Sequence, residues 1–201
     1  MPRKKASNRR AFWRRLRWSV PTALLLWLIF RGPYNTFLAF SAEKLCRLFE
    51  NPPATRVVVE EDKAVIGRED MRTGSGWLGY SLTQIHFNFI PTLALILALP
   101  GWRRGEGWQK LVWAITVLAA SHVLALVFHV QFFFATSLGP WSYATYSDTA
   151  RTVLGFLQYF FDIPLTFTLP LLLWVGLYWE EVLDLVGFSG AVEPNTQGSA
   201  P

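Results

Sequence analysis

Residues 111–135 read LVWAITVLAASHVLALVFHVQFFFA, an apolar run that no Asp, Glu, Lys or Arg interrupts. About 20 such residues in a helix cross the roughly 30 Å hydrocarbon core of a bilayer, so this one segment commits the chain to a membrane. Three other apolar segments accompany it. Residues 18–30 (WSVPTALLLWLIF) are too few to cross alone and must borrow length from their flanks. Residues 84–99 contain Pro91 and close at Pro100-Gly101, and residues 152–179 are interrupted by Asp162, Pro164 and Pro170 before Glu180-Glu181. With 52% hydrophobic and only 16% charged residues, and with 10 Trp and 16 Phe suited to membrane interfaces, the composition agrees. The fold class expected is an all-α membrane protein of four transmembrane helices.

Charge distribution sets the expected orientation. Eight of the 19 basic residues fall in residues 1–17, which hold no acidic residue and run directly into the first apolar segment. A nucleic-acid surface needs its cations spread over a domain face, so this cluster reads instead as a cytoplasmic anchor beside anionic lipid. With the N-terminus inside, eleven basic residues lie on the cytoplasmic side and eight outside, the latter in a longer, acid-rich segment. Both termini are therefore expected in the cytoplasm, with an uncleaved first helix. The single cysteine, Cys46, excludes an intrachain disulfide.

Along the chain the expected units are a basic cytoplasmic segment (1–17), a first transmembrane helix (18–33), an extracytoplasmic segment (34–82), transmembrane helices two to four (83–179) and a disordered cytoplasmic tail (180–201). Within 34–82, Phe37, Leu38, Leu45, Leu48 and Phe49 recur at helical spacing around Glu43, Lys44 and Arg47, which predicts an interfacial helix ended by Asn51-Pro52-Pro53. Residues 55–68 place β-branched runs on each side of Glu61-Asp62-Lys63, the pattern of a β-hairpin. Residues 73–76 read as a flexible joint. No internal repeat suggests an inverted-repeat transporter.

Polar groups inside spans are costly and mark function or helix pairing. Six form a candidate intramembrane cluster: His86 and Asn88 on the second span, His122 and His129 on the third, Gln158 and Asp162 on the fourth. His122 and His129, seven residues apart, share a helix face at a separation of about 10 Å. By depth, Asp162 is expected against His122, with Pro164 freeing a carbonyl to join them. Such a cluster could bind a metal, a haem or a polar headgroup or relay protons, and the competing reading, which is favoured, is interhelical hydrogen bonding for packing alone.

Enzyme signatures are absent. Cys46 lacks a nearby base, Ser121 and His122 point about 100° apart on one helix, and no nucleophile elbow, phosphate loop, zinc helix or cofactor motif occurs. No catalytic residue, metal site or cofactor is assigned.

The stretch HFNFIPTLALILALPGW (86–102), a basic turn after it, and a long span carrying His122 resemble the small membrane proteins associated with bacterial exosortases, particularly the exosortase-H-associated type. The resemblance covers residues 18–135. It implies an accessory role beside an enzyme that processes C-terminally tagged export proteins, with no catalytic set to carry over. Cys46 lacks the small-residue cysteine motif of exosortase itself, and the IPTL at 90–93 lies within a span rather than in a C-terminal sorting signal. The expected function is thus a non-enzymatic accessory protein with a membrane-protein partner, the alternative being a small haem-, metal- or proton-handling protein. The orientation is open to a direct measurement. Cysteines introduced as Ser7→Cys and Gly105→Cys should resist an impermeant thiol reagent in intact cells, whereas Lys63→Cys should react; labelling of Ser7→Cys from outside would reverse the assignment.

Overall fold

In the computed structural model the described residues are 2–71, 77–100, 102 and 105–187, with residues 2–8 described by backbone alone. Helix α1 (Pro2–Leu48) is followed by strands β1 (Thr55–Glu60), β2 (Lys63–Arg68) and β3 (Leu78–Ser81). Then come α2 (Leu82–His86), α3 (Phe89–Ala98), α4 (Glu106–Ser137), α5 (Pro140–Thr145), α6 (Asp148–Phe160), a π-helical turn (Phe161–Leu165), α7 (Thr166–Leu177) and α8 (Trp179–Val186).

Three helical segments are long and apolar enough to cross a bilayer: Arg9–Leu48, Glu106–Ser137 and Asp148–Leu177. They support an integral membrane protein. The expected fourth span is different. Leu82–Ala98 is shorter, about 25 Å at 1.5 Å per residue, and it is broken at Phe87-Asn88. Pro91 accounts for the break, because it has no N–H to return to the Phe87 carbonyl, which instead accepts from Ile90 N at 3.0 Å in a tighter turn.

Two other expectations are corrected. Residues 34–48 are no separate interfacial helix; they continue α1, whose 47 residues run unbroken through Pro21 and Pro33 for about 70 Å. Thr22 and Thr36 donate to the carbonyls of Trp18 (2.8 Å) and Gly32 (3.4 Å) along this helix. Residues 180–186, expected as disordered tail, belong to α8, which buries Val182 against Phe12 and Leu111. The remainder of that tail and the 73–76 joint lie outside the described residues.

Two apolar clusters mark the ends of the bundle. One joins Phe12 of α1 to Leu99, Leu111 and Tyr178, so the start of α1, the α3–α4 corner and α8 share an end. There the Tyr178 hydroxyl donates to the Gly107 carbonyl (3.1 Å). The other cluster packs Leu38, Ala42 and the buried Cys46 of α1 with Ile66 of the sheet and Val130 and Phe134 of α4.

The predicted hairpin forms, with a third strand added to give an antiparallel meander in the order β1-β2-β3. Its turn is two residues, Glu61-Asp62, with Glu61 at φ 55° in the left-handed region. A small sheet is unstable without something to pack on. Here the last turns of α1 and the residues just after it supply it: Glu50 accepts from the backbone N–H groups of Ala54 (3.0 Å) and Thr55 (2.9 Å), Glu43 accepts from Val57 N (2.9 Å), and Arg47 donates to the Thr55 carbonyl (2.6 Å). These side chains satisfy the open edge of β1 and block its pairing with another strand.

Arg68 locks the opposite side of the sheet to the helices. Its side chain is only 8% exposed, it grips Asp70 with two bonds of 2.9 and 2.8 Å, and its guanidinium lies over the rings of Trp141 (4.5 Å) and Phe134 (5.3 Å). The Asp70 carboxyl is held below its ordinary 3.8 chiefly by that hydrogen-bonded arginine. The stabilisation from this pair is therefore present above the ordinary value and lost as pH falls through the lowered one. Protease resistance of the sheet should accordingly be flat between about pH 5 and 8 and decline only below about pH 4. Arg68→Ala should cost about 3 kcal/mol, read as a fall in Tm of the purified protein, since it strips a buried charge network of its cation.

Candidate functional site

The polar residues between the two apolar clusters are arranged in three hydrogen-bonded chains, two of them built on the same plan. In the first, the Trp27 indole N–H donates to His86 Nδ1 (2.9 Å), and His86 Nε2 meets Asn35 Oδ1 (2.7 Å). Asn35 Nδ2 then donates to Asp62 Oδ1 (3.4 Å). Indole can only donate and the amide oxygen can only accept, so His86 is a neutral ring with its proton on Nε2. In the second, the Tyr34 hydroxyl meets His122 Nδ1 (2.8 Å), His122 Nε2 meets Asn88 Oδ1 (2.7 Å), and Asn88 Nδ2 donates to the Thr166 carbonyl (3.3 Å). Asn88 Oδ1 can only accept, so His122 Nε2 carries a proton, while Nδ1 faces a hydroxyl able to donate or accept. Each chain runs from an aromatic side chain of α1 through histidine and asparagine to an acceptor.

The backbone places these partners. Trp27 and Tyr34 are seven residues apart on α1 and so present to the same side two turns apart, with Tyr34 set edge-on to both His86 (5.4 Å) and His122 (6.0 Å). Asn88 sits at the α2–α3 break. The Thr166 carbonyl is open for it because the residue four further on is Pro170, which has no N–H to close the helical bond. A second proline therefore feeds the network, although it is Pro170 rather than the expected Pro164. The effect of Pro164 is the π-helical turn Phe161–Leu165, across which the Thr166 hydroxyl donates to the Phe161 carbonyl (2.7 Å).

Asp162, in that turn, is not paired with His122 as expected. It meets His129 Nε2 through Oδ2 (3.0 Å), while Oδ1 accepts the Tyr80 hydroxyl (2.8 Å). The difference is one of register: the π-turn and β3, which delivers Tyr80, bring Asp162 to the sheet end of α4, two turns beyond His122. His129 Nδ1 faces the Ala125 carbonyl (2.8 Å), which can only accept, so Nδ1 carries a proton. One proton then remains between Nε2 and Oδ2. It makes either an imidazolium with a carboxylate or a neutral pair, and both have zero net charge. The Tyr80 ring covers His129 with centroids 3.9 Å apart.

Gln158, the sixth expected member, is half-buried on α6 and makes no hydrogen bond to the other five among the described residues. His86, Asn88, His122 and His129 are all at most 5% exposed. The structure thus divides the expected cluster into a His86 chain, a His122–Asn88 chain and a His129–Asp162 pair. Sequence reasoning missed Trp27, Tyr34, Asn35, Asp62, Tyr80 and Thr166. The signals for them were an asparagine beside a tyrosine on an apolar helix and a proline four residues after Thr166.

Chemically, the two long chains are closed. Both nitrogens of His86 and of His122 are engaged, which leaves no lone pair directed at a metal or haem iron, and among the described residues no group of three or more His, Cys, Asp and Glu side chains is placed to hold a metal ion. An amide at the end of each chain also cannot pass a proton onward without changing tautomer. What the chains do is tie α1 to α2, α3, α4 and α7, at about 0.6 to 1.7 kcal/mol per interhelical bond.

The dependence of Asn88 on Pro170 is testable. Asn88→Leu should destabilise the protein by about 1 kcal/mol. In a Pro170→Ala background, where residue 170 regains an N–H for the Thr166 carbonyl, that loss should shrink; equal losses in both backgrounds, measured by reversible unfolding in detergent, would refute the coupling.

Comparison of the chain with protein-family models, with curated proteins and with solved structures finds no match.

Proposed function

We infer that the protein is a multi-pass accessory membrane protein that presents its sheet end to a membrane-protein partner. The observation that carries this reading is on α1. Over its last turns one face buries Leu38, Ala39, Ala42 and Cys46 against the sheet and α4, while the other leaves Phe37, Phe40 and Leu48 exposed at 48%, 61% and 76%, with Phe49 in the turn that follows exposed at 84%. An apolar stripe on a helix already fixed to a sheet by Glu43, Arg47 and Glu50 is a rigid surface, and large exposed patches of this kind mark interaction sites.

The closed histidine chains support the same reading, because they assign the buried polar residues to holding that surface in place. Arg31 and Asp62 (2.9 Å) extend the His86 chain to the hairpin turn, and the Asp62 carbonyl accepts from Leu82 N (2.9 Å), so turn, α1 and α2 form one joint. The resemblance to exosortase-associated proteins points to a protein-export or protein-sorting system of the bacterial inner membrane, with four crossings and both termini in the cytoplasm. The partner is then another integral membrane protein.

A second reading has one observation in its favour. The shared proton of His129 and Asp162 beside the Tyr80 hydroxyl would suit a proton-handling role, with Asp162 29% exposed.

Cross-linking followed by mass spectrometry separates the two. A photoreactive residue at Phe40 or Phe49 should capture one membrane protein reproducibly, and Phe40→Glu with Phe49→Glu should abolish its copurification without altering insertion. A sample that copurifies with nothing, yet whose cellular function is lost on Asp162→Asn, would favour proton handling.

A further inference from the structure

Two clefts run along the side of α1 facing α3. One, of about 440 Å³, has Arg14, Arg15 and Trp18 of α1 at its mouth with Trp102 opposite, and Thr22 and Leu97 in its walls. The next, of about 400 Å³, passes Trp27, Phe30 and Phe37 on α1 with Phe89 and Leu93 on α3, and reaches Arg31 and Pro33. Leu26 lines both, so they follow one another along the helix. From Arg14 to Phe37 the track covers about 35 Å of α1, close to the hydrocarbon thickness of a bilayer.

We propose that the cleft at the N-terminal end of this track is a binding site for one anionic phospholipid, with the phosphate on Arg14 and Arg15 and an acyl chain laid along α1 past Leu26. Charge complementarity identifies the headgroup. Arg14 and Arg15 are exposed and neither takes part in any ion pair among the described residues, although Glu181 and Asp184 flank the far side of Arg15 and Glu181 lies 3.6 Å from Lys110. Guanidinium groups bind phosphate oxygens through paired N–H donors. Trp18, 73% exposed beside them, is the side chain suited to headgroup depth.

Medium identifies the chain. Deeper in the cleft the polar groups are already spent: Ser19 donates to the Ala94 carbonyl (2.8 Å) and Thr22 to the Trp18 carbonyl (2.8 Å). What remains is apolar, runs past the exposed Leu26, and has the size of a small-molecule site. Within a bilayer such a furrow is filled by hydrocarbon. The site is independent of the partner surface, which lies at the other end of α1.

The test uses the full-length protein in detergent, titrated with phosphatidylglycerol and separately with phosphatidylcholine, bound lipid being counted by native mass spectrometry. One phosphatidylglycerol should bind with marked preference. Arg14→Gln with Arg15→Gln should weaken it about thirtyfold, the worth of two interfacial cations. Leu97→Trp, which fills the cleft and leaves every charge in place, should weaken it as well. Arg9→Gln with Arg10→Gln, outside the cleft, should have little effect. Loss in both arginine pairs alike, with Leu97→Trp unchanged, would show a diffuse basic anchor only and overturn the site, as would equal binding of the two lipids; failure of partner capture at Phe40 would leave it standing.

Discussion

A polar group enclosed by apolar helices is costly when its donors and acceptors go unused, and the architecture follows from finding partners for three histidines. His86 and His122 each have two ring nitrogens to satisfy, and each takes the polar group of an aromatic side chain on one side and an asparagine amide on the other. The amides then need acceptors of their own. Asn35 finds Asp62 at the hairpin turn, and Asn88 finds the carbonyl that Pro170 leaves open. Each solution connects elements distant in sequence, so the chains serve as cross-ties: one fixes the sheet to α1 and α2, the other fixes α7 to the α2–α3 break.

The prolines have a corresponding role. Pro91 forces the turn at which Asn88 sits, Pro164 accompanies the π-turn that delivers Asp162 to His129, and Pro170 exposes Thr166. In water such residues would weaken a helix, since each removes a backbone bond. In a membrane the orphaned carbonyl becomes a directed acceptor, and a side chain from a neighbouring helix can be held against it. The irregular backbone and the buried polar residues of this protein are therefore parts of one arrangement.

The sheet depends on the same helix as the bundle. Because α1 continues past Pro33 instead of ending there, its charged residues reach the edge of β1 while Leu38, Ala42 and Cys46 stay in the shared core. A three-stranded sheet gains from this a covered edge and a fixed orientation. The exposed apolar stripe from Phe37 to Phe49 consequently stands on a support that cannot swing away from the bundle.

Much of this was legible in the amino-acid sequence by itself. Hydropathy alone determines that the chain has segments able to span a bilayer, and β-branched runs around Glu61-Asp62 determine a hairpin, because both signals are periodic and local. The identity of the buried polar residues was equally readable, since His86, Asn88, His122, His129 and Asp162 interrupt apolar runs. Their partners were not. Whether Asp162 meets His122 or His129 turns on a π-turn and on where β3 places Tyr80, and whether α1 continues past Pro33 turns on the sheet and α4 against which its later turns pack. Those are contacts between segments tens of residues apart, which no local pattern encodes and only the packed structure decides.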